Sequence, residues 1–107
     1  MIITISIVDE FTNKPGARDY DDGKNSGQEF YESILRPKFM KALEQNARLK
    51  IILDGTEGYA SSFINEAFSL LGTEFGPDEV WSKLIIVSNE IPKYIKKVKK
   101  GVYENRK

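Results

Sequence analysis

The chain opens on apolar residues alternating with small polar ones: Ile3, Ile5 and Ile7 fall on one parity, Thr4 and Ser6 on the other. A two-residue period of β-branched side chains predicts a β-strand over residues 2–8, closed by Asp9 and Glu10. Residues 11–25 are rich in Gly, Pro, Asp, Asn and Lys with no sustained period. They predict a long loop, with a short strand over residues 17–20 as its one regular piece. The period then changes. Phe30, Ile34, Leu35, Phe39, Met40 and Leu43 recur at helical spacing behind Ser26-Gly27-Gln28-Glu29, which has the S-x-x-E form of a capping box. Pro37 falls inside that run and predicts a kink or a split, because proline lacks the backbone donor and clashes with the preceding turn.

Residues 49–54 form a nearly continuous apolar run closed by Asp54 and Gly55, the pattern of a central strand covered on both faces. After a turn over residues 56–59, a helix starts at Ser61 and Ser62, and Phe63, Ile64, Ala67, Phe68, Leu70 and Leu71 give it a broad apolar stripe. Residues 72–76 end that helix, and Pro77-Asp78-Glu79 opens one short helical turn around Val80 and Trp81. Residues 83–88 form another strand, and Ser88 or Asn89 caps a last helix carrying Ile91, Ile95 and Val98 on one face. The order predicts an α/β fold: one domain over residues 1–107, a small mixed sheet of about four strands, and three or four helices packed on it.

Composition narrows the chemistry. The chain has no cysteine and no histidine, which excludes disulfides, thiol nucleophiles, Ser-His dyads and the commonest zinc ligands. Any reaction would depend on carboxylates, hydroxyls, Lys, Arg, Tyr or a group borrowed from a partner. Sixteen basic and sixteen acidic side chains cancel, so no global field steers the chain to nucleic acid or membrane. The apolar start reaches Asp9 too early for a signal peptide or a membrane span, so the expected location is cytoplasmic. From about residue 99 the chain ends in a basic tail; Lys93, Lys96, Lys97, Lys99, Lys100, Arg106 and Lys107 concentrate positive charge towards that end. With only Tyr94 and Tyr103 interleaved, that run reads as a solvated helix face rather than a nucleic-acid site.

The most informative stretch is Leu53-Asp54-Gly55-Thr56-Glu57-Gly58-Tyr59-Ala60-Ser61-Ser62-Phe63, which puts two hydroxyls where a helix begins. A helix start exposes unpaired N–H groups and the positive end of the dipole, so a phosphate there is stabilised; the plain alternative is that one serine is only a cap. Gly55 to Ser62 lacks the lysine and second glycine of a phosphate-binding loop. A haloacid-dehalogenase nucleophile would stand where this chain has Ile52. An acidic Mg²⁺ pocket of Asp9, Glu10 and Asp54, as in response-regulator receivers, lacks one β/α unit and has Ser88-Asn89 in place of the lysine. No metal, cofactor or catalytic residue is therefore expected. A second segment, Gly16, Arg18, Asp22, Gly23, Ser26 and Gly27, combines close-approach glycines, a bidentate cation and a helix start. It reads either as an anion site or as an ordinary turn-rich loop.

Three stretches together resemble the STAS-like domains of unknown function, bacterial and phage relatives of the sulphate-transporter and anti-sigma-factor-antagonist domain. They are Pro15-Gly16-Ala17-Arg18; Asp22-Gly23 with Ser26-Gly27-Gln28-Glu29-Phe30; and the run from Leu53 to Phe68. The resemblance spans roughly residues 12–88. It implies partner switching, in which an antagonist domain docks on a histidine-kinase-like ATPase that phosphorylates a serine at the helix start after the central strand. Ser62 is similar in position to that acceptor, with Ser61 as its neighbour; the superfamily's Asp-Ser-Ser-Gly stands here as Ala60-Ser61-Ser62-Phe63.

The leading expectation is a regulatory protein-binding module, not an enzyme, that meets an ATPase or kinase partner through the second-helix surface, with Ser62 first and Ser61 second as phosphate acceptor and Asp54, Gly58, Tyr59 and Phe63 as further binding residues. The alternative is a nucleotide-phosphate sensor or weak enzyme that uses Arg18, Gly58, Tyr59 and the two helix starts. A third expectation is a homo-oligomer joined through the strand at residues 2–8, should that strand lie at an edge.

Overall fold

The computed structural model describes residues 1–104; Arg106 and Lys107 of the basic run lie outside them. The elements follow as β1 (Ile2–Ser6), α1 (Ile7–Glu10), α2 (Gly27–Phe30), a π-helical segment (Tyr31–Leu35), α3 (Arg36–Glu44), β2 (Arg48–Ile52), α4 (Ser61–Phe75), α5 (Pro77–Lys83), β3 (Leu84–Val87) and α6 (Lys93–Tyr103). Among the described residues the sheet has three strands in the order β1-β2-β3, all parallel, with Ile5 opposite Ile51 and Ile51 opposite Ile86. The expected mixed sheet of about four strands is corrected on both points. Residues 17–20 supply only a single bridge, Ala17 to Ser26, because the carbonyls of Ala17 and Arg18 accept from Gly27 and Gln28 at a helix start instead of from a strand. The expected central strand is central, but among the described residues it is covered on one face and not on both: Leu49 and Ile51 are buried and Arg48 is exposed.

Several boundaries move for local reasons. β1 stops at Ser6, where Glu10 accepts the Ser6 backbone N–H at 2.7 Å and Asp9 accepts its hydroxyl at 2.9 Å, so the two acids turn residues 7–10 into a helical turn. Ser26 caps α2 by accepting from Glu29 N at 3.0 Å, but the Glu29 side chain reaches Asn25 N rather than Ser26 N. Pro37 does not split its helix. The π-helical turn ahead of it, in which Arg36 N–H donates five residues back to Tyr31 O, leaves Pro37 in the first turn of α3, where its missing donor matters least.

Gly72 lies inside α4, which ends only at Gly76 (φ +93), and α5 is longer than the single turn expected. The last helix starts at Lys93 rather than after Ser88 or Asn89, since the Ser88 hydroxyl donates to Ile91 O at 2.6 Å and the Asn89 N–H to Asp54 at 3.1 Å.

Because strand order equals chain order, both right-handed crossovers run the same way and fall on one side of the sheet. Ile5, Leu49, Ile51 and Leu84 on that side join Phe30, Leu35, Phe39, Phe63, Phe68, Leu71 and Val98 in one continuous core. The tightest joint lies between α4 and α6. A Cβ added to Gly72 would stand 2.0 Å from the carbonyl oxygen of Val102. That oxygen belongs to backbone and cannot swing away. Gly72→Ala should therefore destabilise the fold by about 3 kcal/mol despite alanine's better helix propensity. Gly16→Ala, whose nearest obstacle is 3.9 Å away, should stay within about 0.5 kcal/mol of wild type. Urea unfolding of the two variants checks both values.

Candidate functional site

In a parallel sheet the loops that bind ligands leave the carboxyl ends of the strands. Here those loops are tied to one another. The Asp54 carboxylate accepts from the backbone N–H groups of Asn89 at 3.1 Å and Glu90 at 2.9 Å, and Glu90 accepts from Gly55 N at 2.8 Å. Gly55 makes this turn at φ +96 with Val8 against it. The space left between Leu53, Thr56, Gly58, Ser88, Ile91 and Tyr94 is about 10 Å³, the limit for a single water. Asp9 and Glu10 turn back on Ser6, and no cluster of three acidic side chains suited to a metal exists among the described residues.

The turn into α4 is held from three sides. Glu57 N donates to Asn13 O at 2.8 Å and Ala60 N to Pro15 O at 3.2 Å, which ties the 11–25 loop to it. Gly58, at φ +122, lets the chain bend so that Tyr59 N meets the Tyr94 hydroxyl at 3.0 Å and the Tyr59 hydroxyl donates to Leu53 O at 2.8 Å. Burial of that phenol pushes its pKa well above 10.0. Tyr59 stacks edge-on to Tyr94 at 5.2 Å and packs on Phe63 at 5.8 Å. Phe63, expected at a partner surface, is fully buried and belongs to the core.

α4 begins at Ser61, and its cap residue is Ala60, which offers no side-chain acceptor. The serines therefore stand in the first turn rather than at the cap, and neither of them caps the helix. Ser61 is exposed and Ser62 half-buried. The Ser61 hydroxyl accepts from Lys97 Nζ of α6 at 3.0 Å. A cation and the positive end of a fifteen-residue helix thus converge on one exposed hydroxyl.

The family model for the STAS-like domain of unknown function (DUF4325) matches residues 26–93, well over half of the chain. The chain belongs to this family. No curated protein and no solved structure matches it. The match contains Ser26-Gly27, β2, the turn, all of α4 and β3; the resembling residues before Ser26 and nearly all of α6 lie outside it.

In this STAS-like domain the Arg18 loop faces inward. The Arg18 guanidinium donates to Asn65 Oδ1 at 2.9 Å and to Glu66 Oε1 at 3.1 Å, where the Glu66 side chain is 7% exposed. Its backbone N–H donates to Asp22 at 3.3 Å, and Gly23 turns the loop at φ +140. Ser26 is fully buried as a cap, while Gly27 N and Gln28 N are engaged by Ala17 O and Arg18 O. A Cβ on Gly27 would meet Phe63 O at 2.5 Å, so this glycine serves helix packing. Gly16 has open space around it. The structure therefore brings Asp54, Gly58 and Tyr59 together with Ser61 and Ser62 at one end of α4, and uses Arg18, Ser26 and Gly27 as a brace between the loop, α2 and α4, with Asp22 and Gly23 exposed at the loop's turn.

Sequence reasoning assigned no site role to Glu66 or Glu90, and placed Lys97 and Tyr94 only in the basic run. Glu66 had left a signal, a carboxylate three residues after Phe63 on the buried stripe. Lys97 had left none, because a contact across 36 residues has no local period.

Arg18→Ala removes the charged partner of a nearly buried carboxylate and should cost about 1–3 kcal/mol, with Glu66→Gln in the Arg18→Ala background recovering part of it; chemical denaturation of the three variants decides. Tyr59 makes a pH prediction. Its folded pKa is raised, so its contribution is complete below 10.0 and is lost as pH climbs past that value. Tyr59→Phe should lose about 1 kcal/mol at neutral pH with the Leu53 hydrogen bond, and its stability should fall less steeply than wild type above pH 10.0, measured by urea unfolding across that range.

Proposed function

We propose that this STAS-like domain is a regulatory protein-binding module that docks on a histidine-kinase-like ATPase through the exposed first turn of α4, and that phosphorylation there switches the docking. The observation that carries the reading is Ser61: exposed, first in an α-helix without a side-chain cap, and 3.0 Å from Lys97 Nζ. Ser62 has the better position by motif, whereas Ser61 has the exposure and the cation, and the reading assigns the acceptor role to Ser61 first. The carboxyl edge of the sheet supports a binding role over a catalytic one, since its loops close on each other and leave no room for a substrate.

In the transfer, the Ser61 hydroxyl oxygen attacks the γ-phosphorus of ATP on the partner. The new O–P bond forms as the bond to the β-phosphate oxygen breaks, ADP leaves, and the hydroxyl proton passes to a base. This chain has no histidine to accept it, and in this reading a base on the ATPase takes it. The product places about two negative charges on a hydroxyl that carried none, where the α4 dipole and Lys97 hold the phosphate locally. A docking surface that accepted a neutral hydroxyl then presents a dianion.

Intact-mass measurement and phosphopeptide mapping after co-expression with a candidate histidine-kinase-like ATPase test the reading. One phosphoryl group on Ser61 or Ser62 supports it, and Ser61→Asp should then change affinity for that ATPase at least about tenfold. An unmodified protein that still co-purifies leaves a constitutive binding module, and a protein that neither binds nor is modified ends the proposal.

A further inference from the structure

Parallel sheets are ordinarily covered on both faces, and the described residues cover this one on a single face. The parity of each strand that points away from the helices carries Ile2, Thr4 and Ser6 on β1, Arg48, Lys50 and Ile52 on β2, and Ile85 and Val87 on β3, aligned by the pairings Thr4–Lys50–Ile85 and Ser6–Ile52–Val87. Ile52, Ile85 and Val87 are half-buried and Ile2 is 55% exposed. None of the four belongs to the core or packs against it. Ile52, Ile85 and Val87 therefore form an apolar patch towards the carboxyl half of the open face, shared there with Ser6, and Ile2 stands apart at the amino end opposite Arg48.

The amino half is cationic. Arg48 and Lys50 stand on it and Lys83 borders it, with Arg48 held to Leu84 O at 3.0 Å and Lys83 to Ala47 O at 3.3 Å. Among the described residues the ion pairs are Lys14–Glu57, Arg18–Glu66 and Arg36–Glu74, so none of these three cations has a carboxylate partner. The strands place no acidic residue on this face. With strands about 4.8 Å apart and about 3.3 Å of rise per residue the face measures roughly 240 Å². A stable dimer needs about 800 Å² from each partner, and a second copy would bring the same uncompensated cations. A single helix about 10 Å across, contacting the face over about three turns, matches its dimensions.

We infer that the open face of the sheet is a docking surface for an acidic amphipathic helix of a partner protein, with apolar side chains over Ile52, Ile85 and Val87 and carboxylates paired with Arg48 and Lys50. It lies across the sheet from α4, so it is a second surface, independent of Ser61.

The test is methyl-resolved NMR titration of the full chain with a synthetic amphipathic helix of about fourteen residues, leucines along one side and glutamates flanking them. Saturable shifts are expected at Ile52, Ile85 and Val87, with affinity at least about tenfold above that of the same peptide carrying lysines. Lys50→Glu and, separately, Arg48→Glu should weaken binding while leaving the spectrum of the core methyls unchanged. Equal binding of the two peptides, or shifts confined to other residues, would overturn the inference. So would shifts at the same methyls that follow protein concentration alone with a doubling of mass, which assign the face to a second copy, or shifts produced only by vesicles containing anionic lipid, which assign it to a membrane surface.

Discussion

The backbone of α6 lies directly on α4, and the rest of the site depends on that contact. Gly72 admits the Val102 carbonyl, and Gly101 brings its own backbone against Phe68 and Ile64. A Cβ at Gly72 would stand 2.0 Å from the Val102 carbonyl oxygen and force the helices apart, and one at Gly101 would press on Phe68 at 3.3 Å. Two of those contacts define the functional end of the domain: Lys97 meeting Ser61, and the Tyr94 hydroxyl meeting Tyr59 N. A spacing set by glycines in the core thus bears on whether a cation stands beside a surface serine about three turns from Gly72 along α4.

The same helices explain why the sheet is one-sided. Three strands taken in chain order send every crossover to one face, and that face supplies one continuous core. The other face keeps β-branched residues, which suit a pleated strand whether or not anything covers them. A run such as Leu49 to Leu53 therefore reads as a strand buried on both sides, although only Leu49, Ile51 and Leu53 are buried there. No helix among the described residues is long and apolar enough to cross a membrane.

The loop at residues 11–25 illustrates how one set of residues supports two readings until its partners are known. Arg18 with neighbouring glycines and a helix start has the composition of an anion site. In the folded chain its guanidinium holds Glu66 and Asn65, and the N–H groups of the helix start hold the loop's own carbonyls. The residues that would have bound an anion instead fasten the loop to α2 and α4. What stays exposed beside that brace is Ser61 in the first turn of α4, where the cap is an alanine.

Wherever the information was local, the sequence by itself determined the outcome. Alternation marked β1, an apolar run marked β2, the stripe from Phe63 to Leu71 marked α4, the Ser26 cap was made, and the STAS-like family was legible in Leu53 to Phe68. Strand count, helix ends and site membership were decided only by the tertiary structure. Residues 17–20 had the propensity for a strand but found a helix start as their hydrogen-bond partner. Gly72 looked like a terminator and became a point of close approach. Phe63 had the place of a surface residue in the motif but the burial of a core one. Lys97 entered the site from 36 residues away. Local propensity depends on a few neighbouring residues, whereas burial, pairing and electrostatic contact depend on which distant backbone arrives alongside.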